Sequence, residues 1–178
     1  MKKLSHVAML LAAPLAFTSL APAFAPAQTG QPQGDRDQDK LVEIVRNATQ
    51  QFQDVTKVPT GYGPALGCVS GPDHGAMGIH YVNGSLLNGP IDPAHPQALI
   101  YEPQPNGDLK LVGVEFIILA SALPPNSAPQ VEGHLMHFID APNRYGVLAF
   151  FELHVWAWRE NPQGPFVDWN DHVTCAHQ

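Results

Sequence analysis

The chain has 178 residues, 44% hydrophobic and 14% charged, with 9 lysines and arginines against 16 aspartates and glutamates and a formal charge of −7. This length suits one domain. The negative balance argues against the basic surface that nucleic acids and anionic membranes require, while permitting cations or basic partners.

The first 27 residues read as a cleavable signal peptide. Lys2 and Lys3 give a positive start, an apolar stretch runs from Val7 to Leu20, and small residues alternate from Ala21 to Ala27. A-x-A spacing allows cleavage after Ala23, Ala25 or Ala27. The site after Ala27 is preferred, because cleavage after Ala25 would put Pro26 first in the mature chain. The apolar run is shorter and more broken than the ~20 residues of a spanning helix. The expected product is therefore secreted or periplasmic, with no membrane attachment after cleavage. Its 151 residues carry seven basic and 16 acidic side chains, a balance of −9.

Residues 28–38 hold no aliphatic side chain and are expected to form a disordered lead-in. Residues 39–178 are expected to form a single β-rich domain with an N-terminal helix. In that helix Leu41, Ile44, Val45, Ala48, Phe52 and Val55 fall on one stripe, with Asp37 or Asp39 as cap. Pro59 and the turn Gly61-Tyr62-Gly63-Pro64 end it.

Beyond Cys68 the period changes to two. Strands are predicted at Met77–Asn83, Ala98–Glu102, Leu109–Leu119, Gly133–Asp140 and Val147–Arg159, with Pro105-Asn106-Gly107 turning the second into the third. The third is nearly apolar on both faces and should be central. Segments 121–130 and 160–170 are proline-bearing loops. The predicted fold is mainly β (α+β): a small antiparallel β-barrel or curved sheet, with one N-terminal amphipathic helix packed on it. Cys68 and Cys175 are the two cysteines, 107 positions apart, and in an exported chain they read as one disulfide.

Chemistry is concentrated in the strands. Glu115 lies mid-strand among Leu111, Gly113 and Ile117, where a carboxylate must be paired, protonated or bound to a cation. Alternation places Glu152, His154, Trp156 and Trp158 on one face, and His80 shares a face with Gly78 and Val82. Glycines next to His80 and Glu115 suggest room beside them. His134 and His137 fall on opposite faces of one strand, so at most one joins a given site. If the polar faces converge, His80, Glu115 and His154 supply two imidazoles and a carboxylate, a donor set for a divalent transition metal, with Glu152 behind them. Cupins hold metals in a β-barrel this way, but their H-x-H and following Glu are absent, so the likeness is one of architecture alone. Trp156, Trp158, Phe166 and Trp169 suit either a ring-stacking surface or a cover for one end of the sheet, with Asp168 and Asn170 as turn and capping residues.

Several classes are excluded. No G-x-S-x-G elbow precedes a helix, no glycine-rich phosphate loop is present, and a disulfide removes cysteine nucleophiles. Asn47 and Asn83 match the glycosylation pattern, which has meaning only in a eukaryotic host, and the start of the chain looks bacterial.

The run of motifs from Ala48-Thr49 and Gly61-Tyr62 through Met77-Gly78-Ile79-His80-Tyr81-Val82-Asn83 to Leu153-His154-Val155-Trp156-Ala157-Trp158, Asn161-Pro162, Asp168-Trp169-Asn170 and Cys175 resembles a family of small secreted bacterial proteins with no known activity. The likeness spans nearly all of the mature chain. It implies bacterial export and one domain, and no ligand or catalytic residue.

Three functions remain open. One is an exported protein that binds a small ligand or divalent metal through His80, Glu115, Glu152 and His154. The second is an exported enzyme using Glu115 and His154 as acid and base on a small molecule. The third is a structural or interaction protein whose polar strand residues satisfy one another.

Overall fold

The computed structural model describes residues 39–178 apart from Pro72, so the expected signal peptide and lead-in lie outside the described residues. Helix α1 runs from Lys40 to Thr49. Asp39 is its cap and accepts a hydrogen bond from the Leu41 N–H at 2.8 Å. The predicted helix is longer than the observed one. Its C-terminal part becomes two 3-10 turns, Gln50–Gln53 and Val55–Lys57, separated by the extended residue Asp54, whose side chain caps the second turn. The apolar stripe survives the change, since Phe52 and Val55 still pack on the core that Leu41, Val42 and Val45 enter.

The strands are β1 (Tyr62–Pro64), β2 (Val69–Ser70), β3 (Ala76–Asn83), β4 (Ala98–Pro103), β5 (Leu109–Leu119), β6 (Gln130–Val131), β7 (His134–Leu135), β8 (His137–Ile139) and β9 (Phe150–Val155). The main sheet is antiparallel throughout, in the order β1-β3-β4-β5-β9-β8, with β2 also paired to β3. β5 is central, as its two apolar faces require. The path has two open ends among the described residues, so the sheet is not a closed barrel. The predicted strand Gly133–Asp140 is broken. Glu132 and Gly133 both take positive φ and turn a small separate hairpin, β6–β7, before β8 joins the edge of the main sheet. Of the predicted Val147–Arg159, only Phe150–Val155 is strand.

The two faces of the sheet bury different things. One face receives α1 and the 3-10 turns and is mainly apolar, with Leu99, Tyr101, Leu111, Val114, Phe116, Leu153 and Val155 buried and the Tyr101 hydroxyl donating to the Phe52 carbonyl. The other carries a small apolar cluster, Ala76, Ile100, Val112, Trp156 and Val173, beside the buried polar groups His80, Glu115, Glu152 and His154. A bulge sets this division. Ile100 pairs with Gly113 and Tyr101 with Leu111, leaving Val112 as the extra residue. Leu111 is thereby turned to the helix face, and Val112 takes the place on the Glu115 face, beyond Gly113, that simple alternation assigns to Leu111.

Cys68 and Cys175 are bonded, which ties the start of the sheet to the end of the chain. Such a bridge fits an oxidising, extracytoplasmic location. No helix among the described residues is long and apolar enough to cross a membrane. Closing a loop of 107 positions constrains the unfolded chain strongly. Replacing both cysteines by serine should therefore cost about 2–5 kcal/mol of stability, read from urea unfolding at equal m-value.

Candidate metal centre

Strands β3, β5 and β9, within the four adjacent strands β3-β4-β5-β9, bring the site together. His80 stands on β3 and Glu115 on β5, with β4 between them, so their backbones are about 10 Å apart. Ala98 on β4, paired directly with Glu115, offers only a methyl group. Across that gap His80 Nε2 approaches Glu115 Oε2 to 3.3 Å. His154 on β9 pairs with Glu115, and Glu152 pairs with Ile117. The rings of His80 and His154 meet edge to face with centroids 5.8 Å apart. One donor atom each from His80, Glu115 and His154 lies within 4.8 Å of the others. The three predicted metal residues are thus brought to a common point, and all are buried, with His154 only 1% exposed.

The glycines have a different role from the expected one. A Cβ on Gly113 would lie 2.8 Å from the Val155 carbonyl and 3.2 Å from the Trp156 ring. A Cβ on Gly78, whose φ is +102°, would lie 2.7 Å from the Tyr101 carbonyl. Both glycines permit close strand packing, and the room beside the polar cluster comes from Ala98. Trp158 also departs from its predicted face. The chain leaves β9 after Val155, and Trp158 packs on the helix side, its Nε1 donating to Thr49 Oγ1 at 3.0 Å.

Asp168 is a site residue that the sequence reading missed. It lies 3.8 Å from His154 Nδ1 and 3.4 Å from His137 Nδ1. With Glu152 and His154 it forms a second set of donors within 4.8 Å of one another. Its segment is held by Trp156, whose backbone N–H donates to the Pro165 carbonyl and whose indole N–H donates to the Val167 carbonyl at 2.6 Å. The Trp156 ring stacks on His154 at 6.0 Å. The aromatic end of the chain therefore acts as a cover that fixes Asp168. Of the two other imidazoles, His137 stands at the rim of the site. His134 pairs with the helix cap Asp39 at 3.2 Å and stacks on Phe166.

Electrostatics follow from burial. Desolvation lowers His80 to about 4, partly offset by the Gly78 carbonyl, and pushes His154 well below the ordinary value. It raises Glu115 well above the carboxylate range, with the charge and hydrogen bond of Glu152 adding to the effect. Glu152 itself rises to about 7 through burial, while its hydrogen bond with Glu115 opposes the shift. At neutral pH the cation-free cluster is therefore two uncharged imidazoles and a carboxyl pair sharing a proton. His80 Nδ1, both ring nitrogens of His154 and Asp168 Oδ1 are buried without a hydrogen-bond partner among the described residues. Buried polar atoms left this way are costly, and four in one place point to a missing partner.

A cavity of about 830 Å3 opens onto the cluster. His80, Glu115 and Glu152 form its polar floor, and Leu87, Ile117, Leu119, Phe150 and Leu148 are among its apolar walls. One wall is the strap of residues 141–148 between β8 and β9. The strap is anchored by Tyr145, whose hydroxyl donates to Met77 Sδ at 3.6 Å, and by Arg144, which donates to the Ser70 carbonyl.

Comparison with known families, with curated proteins and with solved structures gave no match.

The opposed shifts dictate how the cation-free protein responds to pH. Between about 6.5 and 4 the unfolded chain takes up a proton that folded His80 refuses, so stability falls as pH falls through that window. Between about 4.5 and 7 folded Glu152 keeps a proton that the unfolded chain has released, so stability falls as pH rises. The two cancel where the windows overlap. Chelator-treated protein should show a plateau in its urea midpoint between roughly pH 4.5 and 6.5, with a decline on either side. Glu152→Gln should abolish the decline that this residue causes on the alkaline side; a wild-type midpoint rising steadily from pH 5 to 8 would contradict the proton-sharing pair.

Proposed function

We propose that this is an exported bacterial protein that binds a divalent transition-metal ion through His80, Glu115 and His154, at the floor of an apolar chamber for a small organic molecule. The observation that carries the reading is the convergence of these three donors, with both His154 ring nitrogens buried and without a hydrogen bond among the described residues. Two imidazoles and a carboxylate suit first-row ions and leave coordination positions open. His80 and Glu115 line the chamber, so a position beside them faces it. The chamber is within the volume range of sites for small ligands, and its lining is mostly apolar with a few polar groups, among them His80, Glu115 and Glu152. Export is supported by the disulfide, the leader-like start and the likeness to small secreted bacterial proteins.

Tag-free protein, stripped with chelator and titrated with zinc, manganese, iron(II), cobalt, nickel and copper(II), should take up at least one ion per chain. A hundredfold excess over the dissociation constant stabilises by about 2.7 kcal/mol, which for a domain of this size is a rise of roughly 5–10 °C in Tm. Binding should release protons, since Glu115 must ionise to serve as ligand. Glu115→Gln should lose the ion while keeping the cavity. Absence of stoichiometric uptake across the panel would sink the metal reading.

A second reading rests on Glu152, whose carboxyl titrates near neutrality at the floor of the chamber. In that reading Glu152, the Glu115 carboxyl and His154 move protons on a bound organic substrate without metal. Turnover would then persist in excess chelator and fall at least a hundredfold in Glu152→Gln.

A further inference from the structure

We propose that the cluster holds two divalent cations, the second on Glu152, His154 and Asp168 with His137 at its rim, and that His154 bridges them with one ring nitrogen on each. This rests on the reading of His80, Glu115 and His154 as the first cation site. The two donor sets share His154. An imidazole nitrogen has one lone pair, so both positions fill together only if each takes a different nitrogen. Both ring nitrogens of His154 are buried and without a hydrogen bond among the described residues, and Nδ1 is 3.8 Å from Asp168 Oδ1, which likewise makes no hydrogen bond and has only His137 Nδ1 nearby at 3.4 Å.

The charge balance points the same way. Glu115, Glu152 and Asp168 lie on or beside one sheet face, and among the described residues no lysine or arginine is ion-paired with any of them. Two divalent ions bring four positive charges. Three carboxylates supply three negative charges, and His154 supplies the fourth when its ring proton passes to solvent and it binds as imidazolate. A single ion in the first site would leave Asp168 Oδ1 and one His154 nitrogen still unmatched.

His137 extends the second set. It pairs across the strands with Glu152, and its Nδ1 is 3.4 Å from Asp168 Oδ1. It is half exposed, so the second position opens to solvent at the sheet edge, whereas the first faces the chamber. The two ions would therefore differ in exchange rate, the rim ion leaving first.

Copper(II) titration of stripped protein, followed by elemental analysis and electron paramagnetic resonance, tests this. The expected result is two ions per chain, with an isolated-copper spectrum at the first equivalent and loss of signal intensity at the second as the bridged pair couples. Asp168→Asn, folded by circular dichroism, should bind one ion and show no coupling. One ion per chain in the wild type, or two without coupling, overturns the bridged pair and leaves the first site standing. Two coupled ions in Asp168→Asn also overturn it. No uptake at all overturns both readings together.

Discussion

The burial of His80, Glu115, Glu152 and His154 on one face of the central strands is the constraint around which the structure is arranged. Four ionisable groups inside a sheet would be prohibitive if all were charged. Here burial moves both imidazoles and both carboxyls toward their neutral forms, and the two carboxyls share a proton. The remaining cost falls on the rest of the fold. The opposite face is packed mainly with apolar side chains, from α1 to β9, its few polar groups hydrogen-bonded, and the disulfide restrains the long chain between Cys68 and Cys175. The site face is packed around a cavity of about 830 Å3, and Ala98 sets only a methyl group opposite Glu115.

What the sequence made legible was the part governed by strand alternation. β5 emerged with its full range because eleven residues with one interior charge have no other good place than a central strand. Glu115, His154 and Glu152 followed from their parity on β5 and β9, and His80 from its parity on β3. What stayed hidden depends on local breaks of that period. The bulge at Val112 has no mark in the composition of Leu111-Val112-Gly113, yet it exchanges the faces of two residues. The glycines looked like space because a missing side chain reads as space, whereas close approach of β9 is what demands Gly113.

Asp168 was illegible for a different reason. It lies in an irregular segment, where no periodicity assigns a direction, and Asp before Trp-Asn reads as a turn former. Its place is set by Trp156, twelve positions earlier, through two hydrogen bonds to Pro165 and Val167 just before it on the segment. The legible signal was the tryptophan itself: a buried indole must find an acceptor, and the segment that offers it becomes fixed relative to the strand. His137 was read as one of two opposed imidazoles, and the broken strand sent His134 to the helix cap and left His137 beside Glu152.

Sheet geometry explains why one face can feed two positions. Glu152 and His154 are two residues apart on β9, about 7 Å along the strand, while neighbouring strands stand about 4.8 Å apart. Donors placed by parity on β3, β5 and β9 thus fall on a short lattice instead of around a single point. His154 occupies the shared node, with His80 and Glu115 on one side and Glu152 and Asp168 on the other. A closed barrel would direct such side chains to one axis. An open sheet with a strap over one end and an aromatic cover over the other spreads them in a row, from the apolar chamber to the solvent-facing rim. That difference is why the donors fall into two overlapping sets that share His154 instead of one ring around an axis.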